Sequence, residues 1–234
     1  MSSSGPETDA PTRVPVARRT RDPEEIERIL RQDAIDAPTP YFSPRLLRTA
    51  VRDLLAPSPD VFFITAEVQG RYAGFVFSHA LGPGMWRDFA RRHVFRHPVA
   101  LGMLMVRLHL LVPLRRRWAR QAGSPGNRTS ERTKGVPIPV PKSDKLFSWT
   151  RGKGRVGQVD MLFVRDDCRG LGVAPEMLHC VIREMARRDV TLAEAHVDPG
   201  NYSSLRAFLK SGWSGIEMAD GDFYVSIPVV PVNE

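Results

Sequence analysis

The stretch Arg169–Ala174, RGLGVA in one-letter code, decides the fold of this 234-residue chain. It follows a strand-like apolar run, Val159 to Val164, and opens a helix-like run, Pro175 to Arg188. Glycines allow backbone angles that side chains forbid, and they let a ligand approach the main chain. The first N–H groups of a helix lack partners within the helix, and the helix dipole favours an anion there. The stretch therefore predicts a phosphate-binding loop, although a short Gly-rich turn before a helix is weak evidence by itself.

A second structural unit follows this loop and helix. Thr191 to Val197 has the apolar pattern of a strand, and a turn follows at residues 198–200. Asn201 to Lys210 has the pattern of a helix, and Gly212 with the aromatic Trp213 follows its end. The order is thus strand, Gly-rich loop, helix, strand and a further helix that an Asn opens.

These two units together resemble the GNAT superfamily of N-acyltransferases. The coenzyme A loop of that family has the pattern (Gln/Arg)-x-x-Gly-x-(Gly/Ala), which Arg169, Gly172 and Ala174 fill here. The later signature of the family is an Asn opening a helix that ends in Gly and an aromatic residue, which Asn201 and residues 212–213 fill. The match covers residues 158–213, with weaker similarity in the N-terminal half. Two signatures in the right order are far more specific than one.

The resemblance implies an α/β (α+β) fold of the GNAT type. Its mixed central sheet would have splayed fourth and fifth strands and flanking helices. We expect a disordered tail at residues 1–12 and a single acyltransferase domain at residues 13–234. The predicted elements of the front half are a strand Val14–Arg19, a helix Pro23–Gln32 capped by Asp22, a helix within Tyr41–Ala56 capped by Ser43, and strands Val61–Val68 and Arg71–His79 joined by a turn at Gln69 and Gly70.

The resemblance also implies acetyl-CoA, or a related acyl-CoA, as the acyl donor. Its diphosphate would lie on the loop amides, of which at most five can donate because Pro175 has no N–H. The strand before the loop would pair with the pantetheine arm, and one of its N–H groups would stabilise the tetrahedral oxyanion. Asn201 would bond the pantetheine chain, and it can cap its helix as well. The expected coenzyme-binding residues are Leu162, Phe163, Val164, Arg169, Gly170, Leu171, Gly172, Val173, Ala174, Pro175, Asn201 and Phe208.

The catalytic base stays open among three residues. Direct attack needs a neutral amine, so a base or a water relay must take a proton. Members of the family often carry a polar residue near the end of the fifth strand, which falls at or next to His196, and an imidazole titrates near neutrality. Glu194 would share a face with His196 if side chains alternate regularly, and Asp160 lies on the cofactor strand. Each of the three can also be an ordinary strand residue, packed or solvated.

The residue seven positions after Asn201 departs from the family pattern. Many members have Tyr there, whose hydroxyl protonates the leaving thiolate, whereas this chain has Phe208. Water or another group must then supply the proton, or the thiolate leaves unprotonated. The first hypothesis is an N-acetyltransferase acting on a primary amine of an unidentified small molecule, such as an amino sugar or an amino acid derivative. The alternative is an acyl-CoA-binding or scaffold protein that lost turnover and associates with a membrane.

The charge of the chain is concentrated in the predicted insertion between the third and fourth strands, at about residues 82–155. The net charge is +8, and the segment 86–120 alone holds nine arginines and one acid. A predicted helix in it is apolar nearly all round from Val99 to Leu114, a run of about 16 residues, which is shorter than the roughly 20 of a membrane span. We expect this helix to pack on the acyltransferase core or on a second subunit, as in a homodimer.

Two alternatives remain open for this basic segment, Arg87–Arg120. One is peripheral contact with an anionic membrane surface, and the other is binding of an anionic substrate. Few aromatic residues that could stack on bases lie among the arginines, which makes nucleic acid the less favoured partner.

Two cysteines, Cys168 and Cys180, are too few for a disulfide framework or a metal cluster, so no metal is predicted. A reducing cytoplasm is the simplest setting, at the inner membrane face if the basic segment contacts lipid. Cys168 lies beside the anion loop, where the pKa of a thiol can be lowered. An ordinary loop residue is the simpler interpretation, because no base partner is identifiable.

Overall fold

The computed structural model describes residues 14–33, 44–55, 57–81, 91–92, 154–198, 200–217 and 223–230. These residues form a seven-stranded sheet in the order β1-β2-β3-β4-β5-β7-β6. The strands are β1 (Pro15–Thr20), β2 (Val61–Val68), β3 (Arg71–His79), β4 (Arg155–Val164), β5 (Val190–Val197), β6 (Ser214–Glu217) and β7 (Phe223–Pro228). The helices are α1 (Pro23–Asp33), α2 (Pro44–Ala50) with a π-helical turn Val51–Leu55, α3 (Val173–Ala186) and α4 (Tyr202–Lys210). β4 and β5 pair in parallel, and the other neighbouring strands pair antiparallel.

Local signals account for the front half of the sheet. Gln69 and Gly70 both have positive φ, 54° and 72°, as a tight hairpin turn between β2 and β3 requires. The Asp22 carboxylate accepts a hydrogen bond from the Glu24 N–H at 3.0 Å, so it caps α1 as expected. Pro23 occupies the first helical position, where no N–H is needed.

The starts of two elements were predicted wrongly, and two strands were not predicted. α3 begins at Val173, two residues before Pro175, because Gly172 has a φ of 81° and its carbonyl already accepts from the Glu176 N–H at 3.1 Å. Pro175 is thus the third helical residue, where its missing N–H costs nothing. β4 begins at Arg155, four residues early, because it pairs with the start of β5. β6 and β7 had no counterpart in the sequence prediction.

The basic insertion and the tail lie almost entirely outside the described residues. Within the insertion, Arg91 and Arg92 are helical and exposed. The predicted helix with the apolar run 99–114 lies outside the described residues. Among the helices that the structure does describe, none is long and apolar enough to cross a membrane.

The two faces of the sheet carry different side chains. On one face, α3 and α4 bury an apolar core that includes Ile64, Val76 and Met177. The other face is marked by Thr65, whose hydroxyl lies 3.2 Å from that of Thr20, which in turn donates to Glu25 of α1. We call these the α3 face and the α1 face. On the α1 face, Phe63 and Phe75 are buried and stack with their ring centroids 5.1 Å apart.

One carboxylate ties the C-terminal end of α3 to the sheet. Glu184 accepts from Arg19 at 2.9 Å, from Arg187 at 2.7 Å and from Arg188 at 3.1 Å. Arg19 also donates to the carbonyl oxygen of Val61 at 2.7 Å, and its guanidinium lies 5.1 Å from the ring centroid of Phe62. We call this group, Glu184 with its three arginines, the Glu184 clamp. It joins β1, the start of β2 and α3, and the Glu184 side chain is 12% exposed.

Replacing Glu184 by Gln should destabilise the fold. The variant keeps the shape of the side chain but leaves the partly buried arginines facing one another without a countercharge. We expect the free energy of unfolding to fall by roughly 3 kcal/mol, as when a buried pair loses one partner, measured by urea denaturation. The matched control is Glu176→Gln on the same helix, which breaks a more exposed pair with Arg183 at 3.7 Å and should cost less than about 1 kcal/mol. Equal losses in the two variants would contradict a structural role for the clamp.

Candidate functional site

β4 and β5 part at one point in the middle of the sheet. Their parallel pairing runs from Arg155 and Val190 to Val159 and Ala195. Beyond that pair, β4 continues against β3 alone, and the last two residues of β5 continue against β7 alone. We call this opening, between residues 160–164 and 196–197, the fork. The expected splaying of the fourth and fifth strands is therefore confirmed.

The backbone of β4 presents hydrogen-bonding groups to the fork. The N–H of Arg165 donates to the carbonyl oxygen of Ala73 at 2.9 Å, so this residue faces β3. Because backbone groups alternate in direction along a strand, Leu162 and Val164 turn their N–H and C=O groups away from β3 and into the fork. Phe163 turns its backbone groups toward β3, and its ring packs on Phe75 with centroids 5.9 Å apart. An extended ligand chain could thus pair with Leu162 and Val164.

The predicted anion loop follows β4 directly. A short 3₁₀ turn, Asp166–Cys168, leads to Gly170 and Gly172, which have φ values of 82° and 81°. Among the described residues, the N–H groups of residues 170–174 have no backbone hydrogen-bond partner. A Cβ built at Gly170 would meet nothing within 4 Å, so the space beside the loop is open. The loop therefore offers five donors at the N-terminus of α3.

Arg169 is paired within the loop. Its guanidinium lies 2.8 Å from the Asp166 carboxylate, and both side chains are largely exposed. An exposed pair of this kind contributes less than about 1 kcal/mol, so an incoming anion can compete for the guanidinium.

The helix after β5 places two more of the predicted residues. Asn201 caps α4, since its side-chain oxygen accepts from the Ser204 N–H at 3.2 Å and from the Ser203 hydroxyl at 3.0 Å. Its side-chain NH₂ group is not needed for this cap. Phe208 is buried in the core, and its ring meets that of Trp213 edge to face at 4.9 Å. The Phe208 position supplies packing and has no hydroxyl.

A polar cluster lies on the α1 face where the fork begins. The Gln158 side chain donates to one oxygen of Glu194 at 2.9 Å, and the Tyr224 hydroxyl donates to the other oxygen. The ring of His196 stands at 87° to the Tyr224 ring with centroids 5.1 Å apart. Burial, followed by the hydrogen bond to Glu194, raises the pKa of Tyr224. Glu194 and His196 therefore share a face, as side-chain alternation predicted, and Tyr224 connects them.

Asp160 forms a second polar group on the β4 side of the fork. It is the extra residue of a β-bulge, because Met161 pairs with Phe77 and Val159 pairs with Ser78. Its carboxylate lies 3.4 Å from Nε2 of His79, a buried residue at the end of β3. Nδ1 of His79 accepts from the Leu81 N–H at 3.3 Å, so in a neutral imidazole the proton would be on Nε2, the ring nitrogen near Asp160.

Sequence reasoning missed His79, Gln158 and Tyr224. A polar residue at the end of an otherwise apolar strand was a usable signal for His79. Tyr224 had no such signal, because β7 itself was not predicted.

Residues 138–213 match the family model described as the acetyltransferase (GNAT) family. This stretch, 138–213, is therefore similar to a GNAT acetyltransferase domain. The matched region contains β4, α3, β5 and α4, and it therefore includes the fork and the anion loop. No curated protein sequence matches the chain.

Several solved structures are similar to the chain in fold. A polyamine N-acetyltransferase from Drosophila melanogaster is 12% identical over 92% of this chain and 99% of its own, with a TM-score of 0.51. The GNAT domain of the S. lividans protein PAT is 14% identical over 91% and 89%, with a TM-score of 0.48. An aminoglycoside acetyltransferase in complex with coenzyme A is 13% identical over 92% and 94%, with a TM-score of 0.46. At these identities the Drosophila enzyme shows a shared fold alone.

The thiol of Cys168 lies beside the anion loop. Burial, followed by the charge of Asp167, raises the pKa of Cys168, so the lowered pKa considered from the sequence was wrong. Cys168 is therefore an ordinary loop residue, which was the simpler interpretation of the sequence. Among the described residues, no group of three or more His, Cys, Asp or Glu side chains could hold a metal ion.

Proposed function

We propose that this chain is a GNAT-type, acetyl-CoA-dependent N-acetyltransferase that acetylates a primary amine of a small molecule by direct attack. The observation that carries the proposal is the fork between β4 and β5, followed immediately by a loop with five unpaired backbone donors. Such an arrangement can hold an extended chain and an anion at once. The similarity of residues 138–213 to the GNAT family supports it, because GNAT enzymes use acetyl-CoA.

The coenzyme would lie along the second half of β4. Its diphosphate would accept hydrogen bonds from the N–H groups of residues 170–174, helped by the dipole of α3 and by Arg169. Its pantetheine arm would enter the fork and pair with the backbone of Leu162 and Val164, while the NH₂ group of Asn201 would bond the arm from the other side. The thioester would then lie toward Asp160, where an N–H of β4 such as that of Leu162 can stabilise the oxyanion.

The amine nitrogen would attack the thioester carbonyl carbon, and the C–S bond would break to release coenzyme A. The amine proton must pass to a base, and we propose His196, acting directly or through water. His196 is exposed at the fork and has no hydrogen-bond partner among the described residues. Glu194 and Asp160 are the alternatives, but both oxygens of Glu194 and one oxygen of Asp160 already contact donors.

The leaving thiolate would take its proton from water. Phe208 cannot donate one, and the family's usual hydroxyl is thus absent from that position. This departure is the observation that favours the second candidate, an acyl-CoA-binding or scaffold protein without turnover.

The surroundings of the fork favour a cationic acceptor. Asp160 and Glu194 place two carboxylates on the α1 face, where they can attract a protonated amine before it loses its proton. We propose an amine-bearing small molecule such as an amino sugar or an amino acid derivative. The basic segment Arg87–Arg120 would add a contact with an anionic part of the acceptor or with an anionic membrane surface.

Thiol release separates the two candidate functions. Purified protein would be mixed with acetyl-CoA and a panel of amines, with free thiol followed by absorbance and acetylated product by mass spectrometry. We expect release that requires both protein and amine, together with thermal stabilisation by coenzyme A. Stabilisation without release for any amine would favour the binding protein, and the absence of both would overturn coenzyme binding altogether.

Replacing Gly172 by Glu should abolish coenzyme binding. The new side chain would place bulk and negative charge where the diphosphate lies, so the Kd of coenzyme A should rise at least tenfold, or by about 1.4 kcal/mol, in calorimetry. The matched control is Gly70→Glu in the β2–β3 turn. Gly70 has a similar φ of 72° and open space around it, so the backbone strain is alike and binding should be retained. A folded Gly172→Glu variant with unchanged affinity would remove the diphosphate from this loop.

Replacing His196 by Ala should lower kcat by roughly 10²–10⁴ at neutral pH, the usual contribution of a general base. Coenzyme affinity should stay unchanged, because the imidazole acts on the acceptor. The control is His179→Ala, which removes another exposed histidine from α3, and it should leave kcat unaltered. If His196→Ala keeps most of the wild-type rate, the role passes to Asp160, Glu194 or bulk water.

A further inference from the structure

Glu194 is held from both of its neighbouring strands. Gln158 reaches it from β4 and Tyr224 reaches it from β7, and each donates to a different carboxylate oxygen. Gln158 and Glu194 are register partners one step before the last pair of the β4–β5 ladder. The carboxylate is thus fixed in one orientation at the point where the two strands separate.

Tyr224 contacts two of the residues proposed for catalysis with different parts of its side chain. Its hydroxyl donates to Glu194, whose register partner on β7 is Ser226, so the tyrosine reaches diagonally along the sheet. Its ring supports the ring of His196, its own register partner, at a centroid distance of 5.1 Å. Tyr224 is 3% exposed, so its position is fixed by packing.

We propose that Tyr224 is a positioning residue of this enzyme, which orients Glu194 through its hydroxyl and His196 through its ring. The inference rests on the proposed N-acetyltransferase function. It adds that Tyr224 is what fixes the orientation of the His196 imidazole at the fork. Without the hydroxyl bond, Glu194 loses one of its two donors and is free to turn toward His196 or the acceptor. The His196 imidazole would then accept the amine proton from a changed position and beside a differently placed carboxylate.

Tyr224 does not replace the missing proton donor of the family. Burial and the adjacent carboxylate raise its pKa, so the hydroxyl keeps its proton and acts as a hydrogen-bond donor. That proton already points at Glu194 and not at a leaving thiolate.

The test is Tyr224→Phe, which removes the hydroxyl and keeps the ring under His196. We expect kcat to fall about tenfold while the Kd of coenzyme A stays unchanged. The matched control is Tyr72→Phe on β3. The pKa of Tyr72 is likewise raised by burial and by a carboxylate, that of Asp33, but Tyr72 has no described contact with the polar cluster at the fork, so its variant should keep the wild-type kcat.

A double-mutant cycle shows whether Tyr224 acts through Glu194. If it does, adding Tyr224→Phe to Glu194→Gln should lower kcat much less than it does in the wild-type background. If Tyr224→Phe lowers kcat by the same factor in both backgrounds, Tyr224 does not act through Glu194. The His196 ring resonance in NMR spectra, assigned with His196→Ala, should move in Tyr224→Phe and in Glu194→Gln but not in Tyr72→Phe.

The outcomes separate this inference from the function on which it rests. An active wild type whose kcat and His196 resonance are both unchanged by Tyr224→Phe overturns the positioning role alone. A wild type that releases no thiol with any amine overturns the proposed function, and the catalytic role of Tyr224 falls with it.

Discussion

The structure depends on the early end of one ladder of hydrogen bonds, at Val159 and Ala195. Backbone N–H and C=O groups need partners, and a parallel pair that separates inside a sheet leaves two rows of them unpaired. In this chain the row on β4 includes Leu162 and Val164, which a ligand or water must satisfy. β4 continues for five residues beyond its last pair with β5, and the anion loop follows shortly after the end of this strand. The second half of β4 thus provides a backbone edge for pairing, and the loop after it provides the N–H groups of residues 170–174.

The charged groups are distributed to match this arrangement. Positive potential at the N-terminus of α3 faces the loop, and the Glu184 clamp places arginines at the opposite end of the same helix, where the dipole favours cations. Fourteen residues of helix separate the two ends by about 20 Å. On the α1 face the fork is flanked by two carboxylates, with His79 beside Asp160 and the Tyr224 hydroxyl bonded to Glu194. Under the proposed function, the anion and the amine would therefore bind on different sides of the fork.

Local chemistry made much of this predictable. Strands β2 and β3 are nearly continuous buried runs, and a turn with two positive φ angles at Gln69 and Gly70 joins them, so their predicted bounds were confirmed. The five loop donors follow from the sequence alone, since Pro175 is the residue without an N–H. The start of α3 was missed because Gly172 caps it and Pro is tolerated throughout the first turn, so Pro does not fix the first residue. The common face of Glu194 and His196 follows from alternation within one strand.

The parts of the site that escaped prediction depend on pairing between distant strands. The bulge that turns Asp160 toward His79 appears only when β3 and β4 are set in register. Tyr224 meets Glu194 only because β7 lies between β5 and β6, an order that no local pattern encodes. The position of Cys168 beside a helix N-terminus suggested a lowered pKa, whereas burial and the charge of Asp167 raise the pKa of this thiol.

The most direct test of this account is a titration of the isotopically labelled protein with coenzyme A, followed by amide NMR. The account predicts the largest shifts at Leu162, Val164 and residues 170–174, with little change at the Arg187–Arg188 end of α3. Shifts confined to other parts of the chain, with the β4 amides unmoved, would contradict the claim that the coenzyme occupies the fork.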